Sequence, residues 1–232
     1  MNKKGQLIVF EGIDGSGKST QTKMLLNYLK AKGCLVEKID FPRHGEKASV
    51  FVDNYLLGKY GTALEVGALR ASIFYACDRY DAGFQIREWL SQGKFVIIDR
   101  YITSNIGHQG GKIKNKKKRS QFFKWAMDLE FGLFEIPKPD ITILLKTNPE
   151  ISDRLAGTTT DKEKQKRIAS YLGKEKKDIH EKDKQHLKDA LSSYLQFAKE
   201  YPSYMKVIEC VKKGELLSKE EIHQKIISLI KN

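Results

Sequence analysis

Leu7 to Thr20 reads LIVFEGIDGSGKST, and the fold follows from it. It opens on an apolar run, Leu7-Ile8-Val9-Phe10, of the kind that forms a buried parallel strand. Gly12 comes next, then four residues, then Gly17-Lys18-Ser19. This is the phosphate-binding pattern G-x-x-x-x-G-K-[ST]. Its glycines let the backbone turn with N–H groups inward, because no Cβ blocks left-handed or close-approach conformations. Such donors at a helix start can cradle a polyphosphate, where the helix dipole favours anions. The pattern puts Lys18 on the β- and γ-phosphates and the Ser19 hydroxyl on Mg²⁺. Thr20 to Lys32 then carries Met24, Leu25, Leu26 and Leu29, an amphipathic helix. A strand before and a helix after are the context the pattern needs. The competing reading is an ordinary glycine turn.

Four further strands are predicted. Leu35 to Ile39, Lys94 to Ile98, Ile141 to Leu145 and Met205 to Cys210 are apolar or alternating. Helices are expected over Ala48 to Leu57, Thr62 to Leu90, from Asn148-Pro149-Glu150 onward, over Leu187 to Tyr201 and over Lys219 to Ile230. Strands alternating with helices, without repeat or linker, predict a doubly wound parallel α/β sheet of about five strands, with helices on both faces. In such sheets the loops at the carboxyl ends of strands carry the binding groups. That makes Arg43, after the second strand, either a site for a second anion or a solvated loop arginine. Asp99-Arg100-Tyr101 ends the third strand. A carboxylate there suits a Mg²⁺ contact, and Arg100 faces the same crevice. Tyr75 and Arg79 stand at i, i+4 on one helical face. The pair fits a stacked base beside a phosphate clamp, or aromatic core packing beside a surface arginine.

Composition narrows the class. With 232 residues, one domain over 1–232 is expected. No apolar run is long enough to span a bilayer. Met1 to Gly5 leads at once into a strand, which argues against a signal peptide. Cys34, Cys77 and Cys210 lack metal-ligand spacing and suit a reducing cytosol, so a cytoplasmic protein is expected. The net charge of +13 fits nucleic acid binding or an enzyme for highly anionic small substrates. No aromatic residues interleave the lysine runs as a stacking platform would require, which favours the second reading, with neither nucleic acid nor membrane as partner. Lys112 to Arg119 reads as a solvated charge run. The apolar residues from Phe122 to Phe134 form core or a dimer surface.

Taken in order, these motifs resemble the thymidylate kinase family over Gln6 to Lys231. They are Phe10 to Thr20, Phe41-Pro42-Arg43, Tyr75-Ala76-Cys77-Asp78-Arg79, Asp99-Arg100-Tyr101 with Ser104-Asn105 and His108-Gln109-Gly110, Ile136-Pro137-Lys138-Pro139-Asp140, and Asp178-Ile179-His180-Glu181. The resemblance implies a P-loop NTPase fold with a lid over about residues 154–180. It implies transfer of the γ-phosphate of ATP to dTMP, with Mg²⁺, in a homodimer. A related kinase with another nucleotide or nucleoside acceptor is the alternative. ATP would lie on Gly12, Ile13, Asp14, Gly15, Ser16, Gly17, Lys18, Ser19 and Thr20. The metal would take Ser19 and Asp99. The acceptor would lie among Asp14, Phe41, Arg43, Tyr75, Arg79, Arg100, Asn105, His108, Gln109 and Glu181, with the three arginines on its phosphate. Two departures stand out. Tyr75 replaces the phenylalanine that many relatives stack on thymine. The loop also lacks the arginine some members carry, having Ser16 and Ser19, so the lid would supply that charge through Arg167. Asp14, Lys18, Arg100 and Arg167 would then be the catalytic set. The lid lysines could equally form a solvated face.

Overall fold

The computed structural model describes residues 5–157 and 184–230. The element order is β1 (Gln6–Glu11), α1 (Lys18–Ala31), β2 (Val36–Asp40), α2 (Val50–Leu56), α3 (Ala63–Ser91), β3 (Phe95–Asp99), α4 (Lys116–Met127), β4 (Ile141–Lys146) and α5 (Pro149–Gly157). Then come α6 (Lys184–Glu200), β5 (Met205–Glu209), the short strands β6 (Val211–Lys212) and β7 (Glu215–Leu216), and α7 (Lys219–Leu229). The first five strands form one sheet in the order β2-β3-β1-β4-β5, and every pairing in it is parallel. The expected doubly wound sheet is present.

Burial of both faces explains why the centre of β1, Leu7 to Phe10, is apolar at every position. Ile8 and Phe10 face Leu25 and Leu29 of α1 and Ile222 and Ile226 of α7. Leu7 and Val9 face the other way, onto Ala82 and Ile86 of α3. On that second face, Leu144 of β4 meets Phe123 of α4 and Tyr194 and Phe197 of α6. Each buried aliphatic or aromatic side chain contributes about 1.5–3 kcal/mol. β1 lies between β3 and β4, so its carboxyl end opens at the point where the winding reverses, the usual crevice for a ligand.

Several local expectations change. The helix over Ala48 to Leu57 begins as a 3-10 turn, Lys47–Ser49. The long third helix starts on a capping box between Thr62 and Glu65 and is interrupted at Gly67, whose φ of 74° and ψ of 170° are not helical. The Lys112 to Arg119 run is corrected from a solvated loop to a partly buried corner. Lys112 donates 2.7 Å to the Tyr55 hydroxyl. Asn115 caps α4, and Arg119 is buried and donates to the Ile113 carbonyl. The apolar stretch after it divides: Phe122 and Phe123 are core, whereas Leu133 is exposed. The hairpin of β6 and β7 has no counterpart in the sequence reading.

Candidate active site

The loop between β1 and α1 is compact. Gly15 has a φ of +76°, and a Cβ there would lie 2.0 Å from the Ser152 carbonyl oxygen of α5. No other residue fits that approach. Gly17 precedes α1 in the left-handed conformation. Lys18 is buried and folds back, its Nζ donating 3.0 Å to the Gly12 carbonyl and 3.0 Å to the Ile13 carbonyl. Ile13 and Ser16 are buried, Ser19 is half-buried, and Thr20 is exposed. The ammonium is thus stored inside the loop where the pattern expects phosphate.

Arg100 lies across the crevice, just beyond β3. Its φ of 68° is left-handed, a conformation that costs a non-glycine residue about 1–2 kcal/mol. The backbone on both sides is fixed. Arg100 N–H donates 3.0 Å to the Phe10 carbonyl, and Tyr101 N–H donates 2.8 Å to Glu11 Oε1. The strained residue presents its guanidinium to the phosphate loop. Nη2 donates 2.6 Å to Asp14 Oδ1, and Nη1 lies 2.8 Å from His108 Nε2. Burial alone would lower the Arg100 pKa, but Asp14, then Tyr194, Asp99 and Glu11 raise it, so the cation is permanent. The same cation, with burial as the larger cause, drives the His108 pKa well down.

Asp99 ends β3 beside Phe10 and Asp40 in register. Burial raises its pKa, opposed by Lys18 and Arg100. Its buried Oδ1 has no hydrogen-bond partner among the described residues. Among those residues, no cluster of three or more His, Cys, Asp or Glu side chains could hold a metal. Mg²⁺ at a nucleotide uses phosphate oxygens and waters with few protein ligands. An orphaned carboxylate oxygen near Lys18, with the Ser19 hydroxyl on the loop, fits that need.

The remaining expected residues are placed unevenly. Arg43 is held by α3: its N–H and Nε bond Asp78 at 2.9 and 2.8 Å, and Nη2 bonds Asp81 at 2.6 Å. Tyr75 is half-buried, its ring edge-on to Tyr55 at 6.3 Å. Gln109 is buried, and its Oε1 has no partner among the described residues. Three further expected acceptor residues are enclosed. Arg79 is 1% exposed and donates to both oxygens of Glu130 at 2.5 and 2.7 Å, so its charge is already matched. Asn105 is buried and donates to Glu130 and to the Ser72 carbonyl, both at 3.1 Å. Phe41 is core, its ring 5.9 Å from Tyr101. Arg167, Glu181 and nearly all of the expected lid lie outside the described residues.

The sequence profile of the thymidylate kinase family matches residues 10–226. The chain belongs to that family. Thymidylate kinase of Plasmodium falciparum is 31% identical over 147 residues, 63% of this chain. The chain spans 64% of that relative's length, less than two thirds. Thymidylate kinase of Schizosaccharomyces pombe is 25% identical over 99% of this chain and 93% of its own length. The solved structure of thymidylate kinase from Candida albicans overlays with a TM-score of 0.70, covering 97% of this chain and 91% of that one at 24% identity. That likeness is one of fold.

In this member of the thymidylate kinase family, two carboxylates organise the site and were missed. Glu11 is fully buried and accepts from Tyr101 N–H, Thr103 Oγ1, Ser104 Oγ and Tyr194 OH at 2.7–2.8 Å. Glu130 is fully buried between Arg79 and Asn105. The signal existed in both cases. A charge ending an apolar strand, and a lone glutamate among Phe122 to Phe134, each demand a buried partner.

Proposed function

We propose that the chain transfers the γ-phosphate of ATP to dTMP, giving dTDP, as a single unit over 1–232. One observation carries the reading: Asp14 of the phosphate loop touches Arg100 of the β3 end at 2.6 Å. A donor phosphate on the loop and an acceptor phosphate on Arg100 would therefore meet in one crevice.

Phosphoryl transfer has a loose transition state with charge spread over the moving group. The protein's task is in-line alignment and charge neutralisation. An oxygen of the dTMP phosphate forms the new bond to the γ-phosphorus, the bond to the β–γ bridging oxygen breaks, and ADP carries that electron pair away. No general base is needed, because the nucleophile is already an anion. The loop amides of Gly12 to Thr20 bind the polyphosphate, and Lys18 swings from the Gly12 and Ile13 carbonyls onto it. Ser19 and Asp99 would hold Mg²⁺, which when bound neutralises phosphate charge. Arg100 and Arg43 bind the acceptor phosphate. Tyr75, His108 and Gln109 face the base. Arg79, Asn105 and Phe41 belong to the same acceptor wall, and Arg167 and Glu181 complete the site by sequence.

We also propose a homodimer. On α3, Leu69, Ile73, Tyr80 and Phe84 are exposed at helical spacing. A stripe of that size calls for a covering surface. Cys34, Cys77 and Cys210 are free thiols, which supports a reducing, cytoplasmic setting. Among the described residues, no helix is long and apolar enough to cross a membrane.

The deciding measurement is ADP release with dTMP, dUMP, AMP and thymidine offered in turn. Release that depends on dTMP supports the proposal. Preference for another acceptor would reassign the substrate, and no acceptor dependence would overturn the transfer reaction.

A further inference from the structure

The direction of each hydrogen bond around His108 follows from donor chemistry. The Arg100 guanidinium carries only donors. Its Nη1 lies 2.8 Å from His108 Nε2, so that nitrogen must present a lone pair. A neutral imidazole accepting at Nε2 carries its proton on Nδ1. His108 Nδ1 lies 3.1 Å from Nε2 of His186. The Nδ1–H therefore donates, and His186 accepts. The two ring planes are near-parallel, 29° apart, with centroids 5.3 Å from each other, as an edge-to-edge hydrogen bond between imidazoles requires. Tyr194 closes the third side edge-on, 6.0 Å away at 86°. His186 belongs to α6, near its start, far from the phosphate loop in sequence.

We propose that His186 is a positioning residue for the acceptor phosphate: by accepting from His108 Nδ1–H it fixes the one tautomer whose Nε2 can hold Arg100 beside Asp14. The inference rests on the reading of Arg100 as the contact for that phosphate. Without an acceptor at His186, the other His108 tautomer becomes competitive. That tautomer points N–H at the N–H of Arg100, and donor meets donor in a buried site. Arg100 then loses His108 as one of its side-chain partners among the described residues, while Asp14 still pulls it toward the loop. Burial, Arg100 and His186 all lower the His108 pKa, so the neutral ring, not its protonated form, is the working species. Glutamine at 186 preserves the function, because its amide oxygen reaches about as far as imidazole Nε2. Leucine at 186 preserves the packing and removes the acceptor.

The experiment pairs two readouts on the full chain carrying His186→Gln and His186→Leu. The first is the tautomer of His108, read from long-range proton–nitrogen correlations of the labelled imidazole. The second is KM for dTMP against KM for ATP. The wild type and His186→Gln are expected to show the Nδ1–H form and similar constants. In His186→Leu we expect mixed tautomers and a dTMP KM raised about tenfold, with ATP KM changed by less than about twofold. If the leucine variant does not fold, His186→Ala carries the same expectation. The proposal is overturned if the acceptor-less variant keeps the wild-type tautomer, if glutamine and leucine raise the dTMP KM equally, or if both substrates' KM values rise together. If the wild type fails to use dTMP, the proposed reaction fails, and the nitrogen signals still decide whether His186 sets the tautomer.

Discussion

Asp14 accepts a 2.6 Å hydrogen bond from Arg100, which ties the phosphate loop to the neighbouring strand end before any nucleotide arrives. The pair is only partly covered, with side-chain exposures of 53% for Asp14 and 17% for Arg100, so an incoming phosphate can displace the carboxylate. Removing a charged donor aimed at developing charge costs about a hundredfold to a thousandfold in rate. Arg100→Ala should lower kcat/KM for dTMP by that factor and leave ATP binding within about twofold. Coupled ADP-release kinetics and a separate ATP titration check it.

Arg79 and Glu130 form a buried two-point ion pair. Breaking one partner of such a pair strands a charge and costs about 3–5 kcal/mol. Glu130→Ala should show that loss in urea unfolding, because it also strips Asn105 of a partner. Replacing both, with Arg79→Met and Glu130→Leu, should recover most of the stability. An effect on turnover without an effect on unfolding would instead place Arg79 in contact with substrate.

Burial pushes Lys112 down to about 8, against an ordinary value near 10.4. Below about 8 the folded chain carries the buried charge and its full cost. Between about 8 and 10.4 the unfolded chain still binds the proton that the folded chain has released, so stability rises with pH. Thermal melts of wild type and Lys112→Met should therefore diverge in the wild type's favour across that window and run parallel below it.

The α3 stripe gives a prediction for assembly. Ile73→Asp with Phe84→Asp should halve the mass measured by light scattering. Helix content should not change, because both side chains point away from the core.

Arg167 is the arginine the sequence offers to close over the transferred phosphate. Arg167→Ala should cut kcat by about a hundredfold or more. An unchanged kcat would pass that role to the surrounding lysines.

The legible parts of the sequence were those with local causes. The β1 run, the loop and α1 follow from a pattern within one short segment. β2 to β5 were placed within a residue or so: β3 and β4 because a strand buried on both faces is apolar along its core, β2 and β5 because theirs alternate or mix apolar and charged residues at the sheet edges. What escaped needed partners distant in sequence. Arg79 looked like an available cation because Glu130 is far along the chain. Lys112 and Arg119 looked solvated within a lysine run, although Tyr55 and the Ile113 carbonyl claim them. Gly67 gave only a single glycine in a helical pattern, which is usually tolerated. The β6–β7 hairpin is too short for period-two alternation to register. His186 carried no motif, since its meaning arises only when α6 docks beside His108.

Glu11 accepts four hydrogen bonds from residues beyond β3 and on α6. The phosphate-loop side and the β3 side of the crevice are therefore welded through one carboxyl group at the root of the loop. Under the proposed reaction, their mutual alignment is inherited from folding and does not have to be assembled anew in each turnover. Substrate binding energy can then go into moving Lys18 and displacing Asp14, while the frame stays still.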